Sequence, residues 1–280
     1  MNNALKDKTF ILSFFGIFLF CQILSLIISI HLIPQNLQLT IIDKNPNSVW
    51  NAVFIVGYII FFTIVILILK KFFKSGNFLF IIETLALFSG ISLVFSLVIS
   101  PFLSYLATIF LLIVKYTRKE ETIYSKWYNN LLLGVAISGA ATIMGLSLGI
   151  IPVIVLLTLL AIYDIIAVFY TKHMVTLANM IITKKVSLIF LLPSKKREYK
   201  LGGGDIVIPA VVSTSLFMLL IKTKTMLFSI LAVTSVWLAS IVGLFITFYI
   251  LDRYKAKIKA LPALPIQVVL MIFVILIYLI

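Results

Sequence analysis

Asp164 and Asp205 are the residues of this chain best placed to do chemistry, because each belongs to a stretch that is otherwise apolar. Asp164 falls inside the run 150–170. Asp205 follows Leu201-Gly202-Gly203-Gly204 and opens the run 206–221. Ionisable groups at membrane depth are costly and mark a pathway or a reaction centre. Two carboxylates close together in a low-dielectric site cannot both ionise cheaply, so such a pair holds a single proton. Its charged member can activate a water while its neutral member protonates a carbonyl oxygen. That is peptide-bond hydrolysis without metal, serine or cysteine.

The neighbours of Asp205 fit a working site. Gly202, Gly203 and Gly204 weaken helix and let another backbone approach closely. Pro209 lacks the N–H that would bond the carbonyl of Asp205, four residues earlier. This segment is therefore expected to begin unwound or bendable, which a membrane tolerates only inside protein or beside a water-filled cavity. The 16 residues from 206 to 221 also fall short of the ~20 needed to cross ~30 Å of hydrocarbon. The shortfall draws the glycines and Asp205 into the bilayer.

The elements that must position the pair are membrane helices. The chain is 62% hydrophobic and 11% charged, with a mean hydropathy of +1.22, against about 25% charged residues in soluble domains. Nine apolar segments can be marked: 10–33, 51–69, 78–100, 102–114, 131–149, 150–170, 206–221, 226–251 and 264–280. Pro101 and Pro152 turn the chain where segments nearly touch. The first segment is too long for a signal-peptide core of about 7–15 residues and reads as a retained span.

The net charge of +14 does not indicate nucleic acid, because the basic residues lie in the gaps between segments. Alternate gaps hold 20 of the 23, and the opposite set holds only Lys44, Lys222 and Lys224. The positive-inside rule then places the N-terminus and the 171–201 connection in the cytoplasm and the C-terminus outside. Asp164 sits about 9 Å below the cytoplasmic end of its segment at ~1.5 Å per residue. Asp205 leaves from the same side, so the two can face each other. The fold class expected is an all-α polytopic protein of nine transmembrane helices, one domain over 1–280. Spans one to six occupy 1–170, a cytoplasmic connection 171–201, and spans seven to nine 202–280. Within the connection, 171–183 has the period of an interfacial helix, 186–192 reads as a strand, and 195–200 as polar and mobile.

Other chemistries find less footing. Cys21 is a lone buried thiol, with no partner for an internal disulfide. His31 and His173 belong to opposite faces and make no shared metal site, and there is no H-E-x-x-H pattern. No serine sits in a G-x-S-x-G elbow. Glu83, six residues into the third segment, reads as a hydrogen-bonded or snorkelling acid. Gly139, Gly145 and Gly149 suit close helix packing.

Tyr163-Asp164 in the sixth segment, Gly202-Gly203-Gly204-Asp205 as a GxGD motif opening the seventh, and Pro262-Ala263-Leu264 before the ninth together resemble the presenilin and signal peptide peptidase family of intramembrane aspartyl proteases. The resemblance covers the whole chain. It implies that Asp164 and Asp205 are the catalytic pair and that the Pro262-Ala263-Leu264 turn packs beside them and shapes substrate access. Tyr163 is expected to be half packing and half a hydrogen-bond donor near the pair. The resemblance further implies substrates that are transmembrane helices in the lipid bilayer, unwound and bound as an extended strand, for which 186–192 offers a pairing edge. No cofactor or metal is implied. The predicted orientation is similar to that of presenilin, and the setting is the cell membrane. The connection is short and lacks the long loop in which presenilins cut themselves. A single uncleaved chain like the archaeal or bacterial homologues is therefore expected, a need for partner subunits is in doubt, and oligomerisation is left open. Two rivals remain: a proton-coupled transporter using the same carboxylates as a relay, disfavoured by the lack of an inverted repeat, and a prepilin-type peptidase, disfavoured by the Tyr163-Asp164 and Pro262-Ala263-Leu264 matches.

Overall fold

The computed structural model describes residues 7–32, 43–72, 77–117, 122–174, 176–177, 183, 186, 188–193, 199–254 and 261–280. Among these, every expected apolar segment coincides with an α-helix: α1 (Lys8–Leu32), α2 (Val49–Phe72), α3 (Asn77–Ser96), α4 (Pro101–Thr117), α5 (Ile123–Ser147), α6 (Ile150–Ile165), α7 (Gly204–Leu220), α8 (Met226–Arg253) and α9 (Leu264–Leu279). Two strands, β1 (Ile189–Leu192) and β2 (Tyr199–Gly202), lie between α6 and α7. Six helical stretches are long and apolar enough to cross a membrane; α4, α7 and α9 are shorter.

The expected boundaries hold least well at three places. α3 ends at Ser96 rather than at 100. α5 starts at Ile123 rather than at 131, because Lys126, Asn129 and Asn130 interrupt the apolar pattern without interrupting the helix. Its first turn is capped by Thr122, whose side chain accepts the Ser125 N–H at 3.2 Å. The stretch 150–170 is not one regular helix: after Ile165 it widens into a π turn, Ile166–Tyr170, closed by the Thr171 N–H bonding Ile166 O at 3.0 Å. Such turns are frequent at functional sites, and this one begins two residues after Asp164.

The connection is also only partly as expected. Around 171–183, His173, Met174, Thr176 and Leu177 are helical, while 175, 178–182 and the later residues 195–198 lie outside the described residues. The strand over 186–192 is shorter than expected and pairs antiparallel with β2, Ile189 opposite Gly202 and Leu192 opposite Tyr199. Tyr199 and Lys200 are therefore strand rather than a mobile polar segment. The Tyr199 ring lies tilted against Phe10 of α1 with ring centroids 4.4 Å apart, and Leu201 is buried, which anchors β2 to the core.

α7 is the hub of the fold. It packs against α1, α5, α6, α8 and α9, and 12 of its 17 residues are buried, so the helix that carries Asp205 is walled by protein rather than lipid. Small residues permit the close crossings. A Cβ on Gly145 would lie 2.6 Å from Thr214 Cβ of α7, and one on Gly139 2.6 Å from Val94 Cγ2 of α3. Gly149, by contrast, caps α6 and donates its N–H to Pro46 O at 2.8 Å; it serves a loop contact, not helix packing. Hydroxyls join the helices where apolar contact alone would be weak. Ser138 Oγ donates to Cys21 O at 3.0 Å, Thr142 Oγ1 to Ser25 O at 3.1 Å and Ser215 Oγ to Leu148 O at 2.8 Å. α2 is peripheral, with only Asn51, Ala52 and Val56 buried.

Candidate active site

Three helix ends converge. Asp164 lies in the last turn of α6, Asp205 in the first turn of α7, and the head of α9 reaches both. Asp164 is buried, and its Oδ2 accepts the backbone N–H of Leu264 at 3.3 Å. Ala263, the N-cap of α9, presents its amide to the same carboxyl. A helix N-terminus carries free N–H groups and partial positive charge, so it suits an anionic oxygen. Asp205 is partly buried, and the two carboxyls lie within electrostatic reach of each other.

The glycine run is ordered, and its parts differ. Gly202 ends β2, and a Cβ there would lie 3.4 Å from Asp205 Oδ2. Gly203 caps α7 in a right-handed helical conformation, and its bare Cα lets Ile137 of α5 approach: an added Cβ would meet Ile137 Cδ1 at 3.0 Å. Gly204 faces open space. The expected unwinding after these residues is not seen, because α7 is helical from Gly204 onward. The carbonyl that Pro209 leaves without an intrahelical donor is met instead by a side chain: Gln267 Nε2 of α9 donates to Asp205 O at 3.0 Å. One residue on, Gln22 Nε2 of α1 donates to Ile206 O at 3.0 Å.

Tyr163 faces elsewhere, since adjacent helical residues point about 100° apart. Its hydroxyl bonds Thr63 Oγ1 of α2 at 3.3 Å and His173 Nε2 at 2.9 Å. It ties α2 to the end of α6 instead of donating to either aspartate. Glu83 is likewise accounted for away from the site: Lys115 Nζ donates to its Oε1 at 2.6 Å, joining α3 to α4.

Sequence reading passed over the amides. Gln22, Gln267 and Asn130 each stand in or beside an apolar run, and that was the available signal. Asn130 of α5 clasps β1 at both groups of one residue. Its Nδ2 donates to Leu191 O at 2.8 Å and its Oδ1 accepts the Leu191 N–H at 3.0 Å.

Comparison with known proteins agrees with this architecture. Two solved structures of a presenilin family intramembrane aspartate protease, in C222 and P2 crystal forms, are similar in fold. The first has a TM-score of 0.66 at 23% identity, covering 93% of this chain and 95% of that one. The second has a TM-score of 0.60 at 25% identity, covering 94% of each. No curated protein matches the chain. The family model described as signal-peptide peptidase, presenilin aspartyl protease matches residues 15–279, nearly the whole length. The chain belongs to that family, and it is an integral membrane aspartic endopeptidase.

Proposed function

We propose that Asp164 and Asp205 are the catalytic pair and that they hydrolyse peptide bonds within transmembrane helices of substrate proteins. The observation that carries this reading is the convergence of the two carboxyls at the facing ends of α6 and α7, with the amide of Leu264 on Asp164. The pair holds one proton. The ionised carboxylate takes a proton from water as its oxygen attacks the scissile carbonyl carbon, and the protonated carboxyl gives its own to the carbonyl oxygen. The resulting diol collapses as the C–N bond breaks: the protonated member gives its proton to the leaving nitrogen while the ionised member takes one from a diol hydroxyl, so the products are a carboxylic acid and an amine and the pair again holds one proton.

Backbone pairing would present the substrate. The Asn130 clasp occupies the outward groups of Leu191, so β1 does not offer the edge first expected of 186–192. In an antiparallel pair outward and inward groups alternate, so Lys200 and Gly202, opposite Leu191 and Ile189, turn theirs to the outer edge of β2. On that edge the Gly202 N–H reaches the Asp205 carboxyl, which leaves the Gly202 carbonyl and the groups of Lys200 to pair with an added strand. Gly202 lies against Asp205, so a strand added to β2 would run past the pair, and Gly204 leaves room for it. The topology that fits is nine spans over 1–280 in the cell membrane, with the N-terminus and the 171–201 connection cytoplasmic. The proton-coupled transporter gains no support from the family match or from the neighbouring folds.

The test is cleavage of a transmembrane peptide by purified protein, comparing wild type with Asp164→Ala and Asp205→Ala. Both variants should be inactive while remaining folded. Full cleavage by either one removes the mechanism.

A further inference from the structure

Gln267 is fully buried, and every proton on its amide nitrogen is used. Nε2 donates to Asp205 O at 3.0 Å and to Ser240 Oγ of α8 at 2.6 Å. Its Oε1 is buried without a partner. Rotating the amide would set that oxygen against the Asp205 carbonyl, so the orientation is determined by the bond to Asp205. The carbonyl it serves is the one whose helical donor Pro209 cannot supply. Three residues earlier on the same turn, the Leu264 N–H holds the Asp164 carboxyl. One rigid turn therefore grips both aspartates, one by its side chain and one through its peptide.

We propose that Gln267 is a positioning residue for the cleavage reaction: its amide replaces the hydrogen bond that Pro209 denies to the Asp205 carbonyl and thereby holds the Asp205 carboxyl in register with Asp164. The inference rests on the proposed catalytic pair. Gln267 touches no reacting atom. It acts by holding the first turn of α7 against the head of α9, and this makes its effect conditional on Pro209. With alanine at 209 the helix regains its own donor, and Gln267 should matter much less.

The experiment measures kcat and KM for a transmembrane peptide with purified wild type, Gln267→Met, Pro209→Ala and the double variant, beside Asp205→Asn. Gln267→Met should lower kcat at least tenfold with KM within about twofold. In the Pro209→Ala background the same change should lower kcat by less than threefold. Equal losses in both backgrounds, or a loss confined to KM, would overturn the proposal. If Gln267→Met does not fold, Gln267→Glu replaces it: its carboxylic acid donates only when protonated, so its kcat relative to wild type should rise toward acidic pH. A flat ratio would overturn the proposal equally. Cleavage by Asp205→Asn would dismiss the catalytic pair and this role with it, whereas an inactive Asp205→Asn beside an unaffected Gln267→Met dismisses the positioning role alone.

Discussion

Gly243 of α8 sets how closely the head of α9 can approach. A Cβ built on it would lie 2.8 Å from Gln267 Cα and 3.0 Å from Gln267 N. Both are backbone atoms, so no side-chain rotation relieves the clash. In Gly243→Ala the 2.8 Å approach must open to about 3.4 Å, where ordinary contact begins, a displacement of about 0.6 Å. Carried along the first turn of α9, that shift stretches the Leu264 N–H bond to Asp164 from 3.3 Å to about 3.9 Å, beyond hydrogen-bonding range. A bond to a charged group is worth about 1.5–3 kcal/mol, and ~1.4 kcal/mol is tenfold in rate. The expected fall in kcat is therefore about 10- to 100-fold. Overpacking should also lower stability by about 1–3 kcal/mol. The assay is peptide cleavage in detergent with a melting curve on the same preparation, and Gly57→Ala, whose Cβ meets nothing within 4 Å, serves as control. A variant with lowered melting temperature and undiminished kcat would show that the turn can move without disturbing the aspartates, and the reasoning would fail.

Gly204→Ala meets no protein atom, so melting should be unchanged or slightly raised while cleavage falls; equal activity would mean that the open space beside Asp205 is not used by substrate. Glu83→Gln leaves the buried Lys115 without its carboxylate and should cost about 3–5 kcal/mol, most of it recovered in Glu83→Leu/Lys115→Met; a double variant as unstable as the single one would refute this. Burial holds the His173 ring below the ordinary histidine value, so its neutral form favours the fold. That contribution is complete above the unfolded value near 6.5 and is lost as pH falls through the lower folded one. The melting-temperature gap between wild type and His173→Gln should therefore narrow on acidification, and a gap independent of pH would contradict it. Asn130→Leu should free β1 and speed proteolytic nicking of the connection, read by fragment analysis; nicking at the wild-type rate would mean the clasp is dispensable.

The helices were legible because a hydrocarbon environment writes itself into composition: each apolar run became a helix. What stayed hidden was decided by partners far along the chain. The start of α5 does not look like a span because polar residues break its apolar pattern, and one of them, Asn130, turns to β1 rather than to lipid. β2 looks polar and glycine-rich, and only pairing with β1 and the contact of Tyr199 with Phe10 make it a strand. The orphaned carbonyl of Asp205 could be inferred from Pro209 alone. Its donor could not, since 62 residues of chain separate Gln267 from it. The aspartates were visible from the penalty for burying charge, whereas buried amides carry no such signal.

The ion pair between α3 and α4 bears on how the chain enters the bilayer. Taken singly, α3 would carry the Glu83 carboxylate unbalanced into the cytoplasmic side of the bilayer, at a cost below the roughly 2.5–3.5 kcal/mol of a charge at the bilayer centre. Lys115 stands at the cytoplasmic end of α4. Joined at Lys115 and Glu83 they present almost no net charge. Biogenesis should therefore favour transferring the two as a preassembled hairpin over threading them one after the other.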